Sequence, residues 1–241
     1  MKTALKATLL VGIVVYIAWA VARYARPAEK QACAGVRVCV QDSAAGCLVS
    51  QDYVLGILGR KHISPKGMPI SDINLGVLDS LLAADPYVGK VSCHFTSEGV
   101  LHVDVVPRKP VLHVIQDNGD EYYMTDGGDV MPANQAGDGL CLATGRVGRD
   151  FARERLLPLA VYIYNDEFWN TQVEQVYVSP SGCVELVPRV GNHVVVLGGT
   201  DHFRDKLRRL RFFYRYGMPK VGWGKYRTIN LSYDGQIVCT K

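Results

Sequence analysis

Between Gly35 and Val106 the apolar residues change their spacing three times, and the order of those changes restricts the fold more than any other feature of the chain. In "GVRVCVQD" Val36, Val38 and Val40 alternate, the pattern of a half-buried strand. Two stretches at helical spacing follow. "SQDYVLGILGRKHI" carries Tyr53, Val54, Ile57 and Leu58, with Ser50 placed as an N-cap. "SDINLGVLDSLLAADPYV" carries Leu75, Leu78, Leu81 and Leu82 on one stripe and is stopped by Asp85-Pro86. "VGKVSCHF" and "VLHVDVV" then flank "TSEG", which reads as a hairpin. A β-α-α-β-β order excludes a dinucleotide-binding βαβ unit, whose strands and helices alternate around a glycine fingerprint.

Beyond "PRKP" (107–110) the chain is rich in strands: "VLHVIQ", "EYYMTD", "EQVYVSP", "CVELVPRV", "HVVVLGG", "RTINLSYD" and "QIVCT". Turn chemistry such as Asp117-Asn118-Gly119 and Asp126-Gly127-Gly128 separates them. Two helices are expected among them. One lies near 150–166, kinked or split by Pro158. The other, "DHFRDKLRRLRFFYRYG", sets Phe203, Leu207, Leu210 and Tyr214 on one face and Arg204, Arg208, Arg211 and Arg215 on the opposite one, with Gly217 as its end cap. With 241 residues, 48% of them hydrophobic, the chain can fill one large or two small α+β cores. A net charge of +4 is mild, and the short basic clusters read as solvated helix faces, not as a nucleic-acid site.

The first thirty residues differ. Ala7 to Ala22 carry no charge, and Lys2, Lys6, Arg23, Arg26 and Lys30 flank them. As a helix the stretch would rise about 24 Å, slightly short of a ~30 Å hydrocarbon core. Interfacial Tyr16 and Trp19 and snorkelling Lys6 and Arg23 make a membrane span feasible. The rival is a cleaved signal peptide, since Ala18-Trp19-Ala20 and Ala20-Val21-Ala22 fit the cleavage pattern. Trp19, Val21 and Arg23 occupy positions that cleavable signals keep small and polar, which favours an anchor. A six-residue tail favours export of the long side.

Catalytic motifs are lacking: no G-x-S-x-G, H-E-x-x-H or Walker loop occurs. "VVVLGGTDHFRDKL" reads as a tight turn without the lysine or glycine spacing of a phosphate cradle. His94 and His102 face each other across the expected hairpin but form no metal-ligand spacing. Seven cysteines show no C-x-x-C; several read as buried thiols in strands, although Cys33, Cys39 and Cys47 are close enough in sequence to pair. No catalytic, cofactor-binding or metal-binding residue is therefore expected.

"TINLSYDGQIVCTK" (228–241) reads as strand to its last residue, Ile229, Leu231 and Tyr233 alternating with polar residues and Ile237 and Cys239 resuming the phase after Gly235. An edge strand guarded only by Lys241 presents unpaired N–H and C=O groups to other chains.

These features together resemble the FtsQ/DivIB family of bacterial cell-division proteins, in a version similar to that of Bacteroidetes-like bacteria. The β-α-α-β-β unit is similar to that family's POTRA domain, and "ADPYV" (84–88) and "PRKPV" (107–111) resemble its local signatures. "YYMTDGGDVMP" resembles the opening of its β domain, "LCLATG" (140–145) the apolar-Thr-Gly turn after it, and "VELVPRVGNHVVVLG" and "KLRRLRFFY" its later strands and helix.

The resemblance implies a cytoplasmic tail at 1–6, a transmembrane helix at 7–23, a linker at 24–34, a POTRA domain at 35–110 and a mixed β-rich domain at 111–241. It implies a non-enzymatic, single-pass inner-membrane scaffold of the divisome at the septum, its bulk in the periplasm. Its terminal strand would bind an FtsB-type protein paired with an FtsL-type coiled coil, and the POTRA domain would bind other divisome proteins. Ile229, Leu231, Tyr233, Gly235 and Ile237 are the implied partner-binding residues, Tyr233 matching the tyrosine of an "L-x-Y" strand. A periplasmic POTRA-type chaperone or translocation module is the alternative, and a periplasmic hydrolase a more distant one. Mass measurement of the mature protein is expected to show the N-terminus retained; loss of about 20 residues, as expected of a cleaved signal, would remove the anchor.

Overall fold

The computed structural model describes residues 2–24, 31–41, 48–61, 63–133 and 139–241. Cys47 and most of the expected linker lie outside them. The first helix, α1 (Lys2–Tyr24), has 23 residues, a length of about 34 Å at 1.5 Å per residue. Val11, Val14, Val15, Ile17 and Trp19 on it are all exposed. Its described side chains start at Val11, and among the described residues no helix is long and apolar enough to cross a membrane.

The chain divides into two compact units. The first takes in residues up to Cys39, Gln51–Leu82 and Val91–Val105. It holds β1 (Gly35–Val40), α2 (Gln51–Arg60), α3 (Leu75–Ala83), β2 (Val88–Phe95) and β3 (Val100–Pro107), with a sheet in the order β1-β3-β2. Val54, Ile57 and Leu58 of α2 and Leu78 and Leu82 of α3 are buried, as are Leu101, Val103 and Val105 of β3. The Asn74 carboxamide caps α3 by accepting from the Val77 N–H at 3.2 Å. The Asp79 carboxylate ties that helix to the sheet, accepting from the Cys93 N–H at 2.9 Å.

The second unit takes in Val40–Ser50, Ala83–Lys90 and Val106–Lys241. Its strands are β4 (Pro110–Gln116), β5 (Glu121–Thr125), β6 (Val130–Pro132), β7 (Cys141–Gly145), β8 (Val173–Val178), β9 (Val184–Pro188), β10 (Val194–Gly198), β11 (Thr228–Asn230) and β12 (Val238–Thr240). They form one nine-stranded sheet, ordered β12-β11-β10-β9-β8-β7-β4-β5-β6. The parallel pairs are β4 with β7, β7 with β8, and β10 with β11. "LCLATG", expected as a turn, is instead β7, an inner strand between β4 and β8. The Ala143 and Cys141 side chains are small enough to lie under the helices, and the turn comes only at Gly145.

Helices make both long parallel crossovers. From β7 the chain passes through α4 (Arg149–Phe151), a π-helical turn (Ala152–Leu156), α5 (Leu157–Asn165) and α6 (Glu167–Gln172). From β10 it passes through α7 (Phe203–Phe212), a second π turn (Phe213–Gly217) and α8 (Met218–Val221). Each π turn ends two residues before a proline, Pro158 or Pro219. A proline inside a regular helix lacks a ladder N–H and collides with the carbonyl four residues back; widening the preceding turn relieves both. The expected kink at Pro158 is thus absorbed as a π turn in a continuous helical run. Gly217 does not end the second helix: its φ is −91° and the helix continues to Gly222, at φ 91°. A Cβ on Gly217 would meet the Phe213 ring at 2.5 Å, which is why a glycine stands there.

Leu159, Ala160 and Ile163 of α5, Trp169 of α6, Leu207 and Leu210 of α7, Tyr214 of the second π turn and Met218 of α8 join the buried strand residues in one core. Gly145 closes β7 at φ +91°, where a Cβ would lie 2.2 Å from the Val178 carbonyl oxygen. Gly145→Ala is expected to cost about 2–4 kcal/mol, from a left-handed conformation plus overpacking, read as a shift in the urea midpoint at unchanged m-value.

His193, 2% exposed, places Nε2 2.6 Å from the Tyr214 hydroxyl, and burial holds its pKa below the ordinary 6.5. A histidine kept neutral in the fold leaves the unfolded chain with more protons as pH falls below about 6.5, so stability is lost in that direction. At pH 5.5 the loss relative to pH 7.5 is at most about 1.4 kcal/mol. His193→Gln is expected to flatten that part of the pH–stability curve.

Candidate partner-binding edge

The last fourteen residues do not form one strand. β11 pairs antiparallel with β12, Ile229 opposite Cys239 and Asn230 opposite Val238, so the segment is a hairpin. Two local interactions fold it back. Asn230 Oδ1 accepts from the Ser232 N–H at 2.8 Å, an Asx turn that ends β11. Gly235 then takes φ 73° in Asp234-Gly235, a dipeptide suited to hairpin turns. That Asp-Gly pair was the sequence signal for a hairpin, masked because apolar residues resume the same phase beyond it.

The five expected partner residues are therefore dispersed. Ile229 and Leu231 are 0% exposed and belong to the core. Ile237 is partly buried against that core. Tyr233, 53% exposed, projects from the turn. Gly235 is exposed, and a Cβ built on it would meet only open space, so another backbone can approach it closely.

β12 stands at the end of the strand order, so among the described residues nothing pairs beyond it. The direction of its backbone groups follows from β11. The Leu231 N–H donates to the Val196 carbonyl at 2.8 Å, so Leu231 faces β10. Peptide groups alternate sides along a strand, so Thr228 and Asn230 face β12. Their opposite numbers Thr240 and Val238 face back, and Cys239 turns its N–H and C=O outward. Val238 is 41% exposed beside that outward edge. Val238 and the Cys239 peptide are the features that sequence reasoning missed.

Helix α7 braces the hairpin. Arg209 donates to the Leu231 carbonyl at 3.3 Å. Lys206, 8% exposed, donates Nζ to the Leu197 and Gly199 carbonyls at 3.0 and 2.8 Å. Burial pushes its ammonium below the usual lysine range, opposed by Asp201 and by Asp234 of the turn. The basic stripe on α7 is not uniformly solvated. Arg204 and Arg208 are exposed, Arg208 pairing with Asp205 of its own helix at 2.9 Å. Arg211 instead forms an ion pair with Asp166 and lies 4.7 Å from the Phe168 ring centre. Asp166 also caps α6, accepting from the Trp169 N–H at 3.1 Å.

Elsewhere, the His94 and His102 rings lie 5.3 Å apart and His94 Nδ1 is 3.6 Å from Asp104. Among the described residues no group of three or more acidic, histidine or cysteine side chains is placed to hold a metal. The described cysteines are free thiols. Burial pushes Cys93, also hydrogen-bonded to Asp79, and Cys141 up to about 12, so neither is a thiolate nucleophile at neutral pH.

The model of the family described as FtsQ/DivIB, C-terminal related, matches residues 109–240, the sheet and helices that carry this edge. The chain belongs to that family. A POTRA-like domain model matches residues 31–106 of the same FtsQ/DivIB-related chain. No curated protein matches it. The family is one of cell-division scaffolds.

Proposed function

We propose that this FtsQ/DivIB-related protein is a single-pass scaffold of the division machinery that binds an FtsB-type partner, itself joined to an FtsL-type coiled coil, by adding a partner strand to β12. The observation that carries the reading is the open edge, where Cys239 turns its peptide groups outward in a domain of this family. Main-chain hydrogen bonds would supply affinity, and side chains at alternate positions specificity. Tyr233 and Val238 flank the added strand, and Gly235 admits its backbone. Ile229 and Leu231 act from beneath, holding β11 against the core so that β12 is presented without rearrangement.

In this reading α1 is the membrane anchor. The uncharged stretch Ala7–Ala22 spans the inner membrane, with Trp19 and Arg23 at one interface and Lys6 at the other, and the two folded units stand in the periplasm at the septum. The work of the protein is binding, and catalysis has no part in it.

Two substitutions separate folding from binding. Tyr233→Ala removes a large exposed anchor and is expected to cost about 2 kcal/mol of affinity or more, roughly thirtyfold. Cys239→Pro deletes an outward N–H while leaving the ladder bonds of Val238 and Thr240 to β11 in place. Both variants are expected to keep the circular dichroism of the parent and to lose a titrated FtsB-type peptide, and cells carrying them to filament. Parent-like affinity in both folded variants would refute edge pairing.

A further inference from the structure

A recess of about 440 Å³ opens on the helical layer, lined by Phe168 and Gln172 of α6, Arg211 of α7, Tyr214 and Arg215 of the second π turn, and Trp223. That volume lies within the range of natural ligand pockets. Its walls are three aromatic rings and the stems of two arginines. Among the described residues two atoms of this lining, Gln172 Oε1 and Arg211 Nε, are buried without a hydrogen-bond partner.

Two further observations concern the helical run that carries Arg211 and Arg215. Arg215 lies 5.6 Å from the ring centre of Tyr216, which packs on Phe212 at 4.7 Å. Phe212 is 67% exposed and Tyr216 50%, an aromatic pair on the surface with no core duty to explain it. Charge is one-sided: from Phe203 to Arg227 there are nine lysines and arginines against the single acid Asp205. Aromatic residues and arginine around a preformed pocket are the composition of binding hot spots.

We infer that this recess is a second docking site, distinct from the terminal edge, for an acidic peptide segment of a partner protein that inserts one aromatic side chain between Phe168, Tyr214 and Trp223. Arg215 meets the acidic flank, and the exposed Phe212 and Tyr216 of the same helical run offer it further apolar contact. Recognition at this site passes through side chains on helices and needs no added strand.

The test uses the full chain in detergent micelles, with 15N-labelled tryptophan. The three indoles, Trp19, Trp169 and Trp223, serve as reporters. The probes are three capped pentapeptides: Asp-Glu-Phe-Glu-Asp, the same with alanine at the centre, and Lys-Lys-Phe-Lys-Lys. The acidic phenylalanine peptide is expected to shift the Trp223 indole signal saturably while Trp19 stays in place, and the other two are expected not to saturate. Arg215→Glu and Phe212→Ala, both at exposed positions, are expected to weaken binding at least tenfold with unchanged circular dichroism. Cys239→Pro, which breaks the terminal edge, is expected to leave this binding intact, so the two sites fail independently. An unmoved Trp223 signal, equal shifts from the alanine peptide, full affinity in Arg215→Glu, or loss of binding in Cys239→Pro would overturn the inference. So would an equal shift from phosphatidylglycerol vesicles, which would assign the basic surface to lipid.

Discussion

One row of side chains runs across the large sheet, and the rest of the second unit depends on it. Direct pairing places Tyr122 opposite Val114, Val114 opposite Ala143, Ala143 opposite Val176, Val176 opposite Leu186, Leu186 opposite Val195 and Val195 opposite Ile229. Every one of these residues is at most 3% exposed. Fully burying such an aliphatic side chain contributes about 1.5–3 kcal/mol. A slip of one residue in any strand would turn its contribution to the opposite face, so the row fixes register over seven strands at once. Ala143 sits where the row needs a small residue, and that smallness hides β7 from a search for large alternating apolar residues.

The row also dictates the helices. Parallel pairing of β7 with β8 and of β10 with β11 needs a long crossover on each side, and both crossovers must close over the same buried face. Each therefore carries its own apolar stripe, Leu159 and Ile163 in one and Leu207, Leu210 and Tyr214 in the other. The π turns before Pro158 and Pro219 let each crossover continue past a residue that would otherwise end it. Asp166 and Arg211 then join the two crossovers, since the acid that caps α6 also pairs with the arginine of α7. The arginine is held for geometry as well as for charge, because its guanidinium lies over the Phe168 and Trp169 rings.

Period alone made most of this legible. The β-α-α-β-β unit, the strands from β8 to β10 and the buried face of α7 all follow from spacings of two or three to four residues. Besides β7, three features escaped for physical reasons. The terminal hairpin was read as one strand because Ile229, Leu231 and Ile237 keep one phase across a turn, and period carries no information about reversal of direction. Gly217 looked like a cap because a glycine after a helical run usually is one, whereas here it makes room for the Phe213 ring. Arg211 looked solvated because its partner Asp166 is 45 residues distant in sequence, beyond the reach of any local pattern.

In the reading proposed above, the same row bears on what the terminal edge would select. Cys239 lies opposite Ile229 and so extends the buried row by one place, only partly covered. A strand added outside β12 would set one residue next to Cys239, on the face roofed by the helices, and its neighbours next to Val238 and Thr240 on the open face. The first position rewards an apolar side chain, since it completes burial of the row. The others would lie beside Val238 and Thr240 on the open face, and tolerate amphipathic residues. An edge of this kind selects alternation in its partner more than any individual residue, because half of the contact surface is the backbone itself. Discrimination among partners with similar strands must then come from side chains outside the strand, and the exposed aromatic and arginine residues of α7 and the turn that follows it are where this fold provides them.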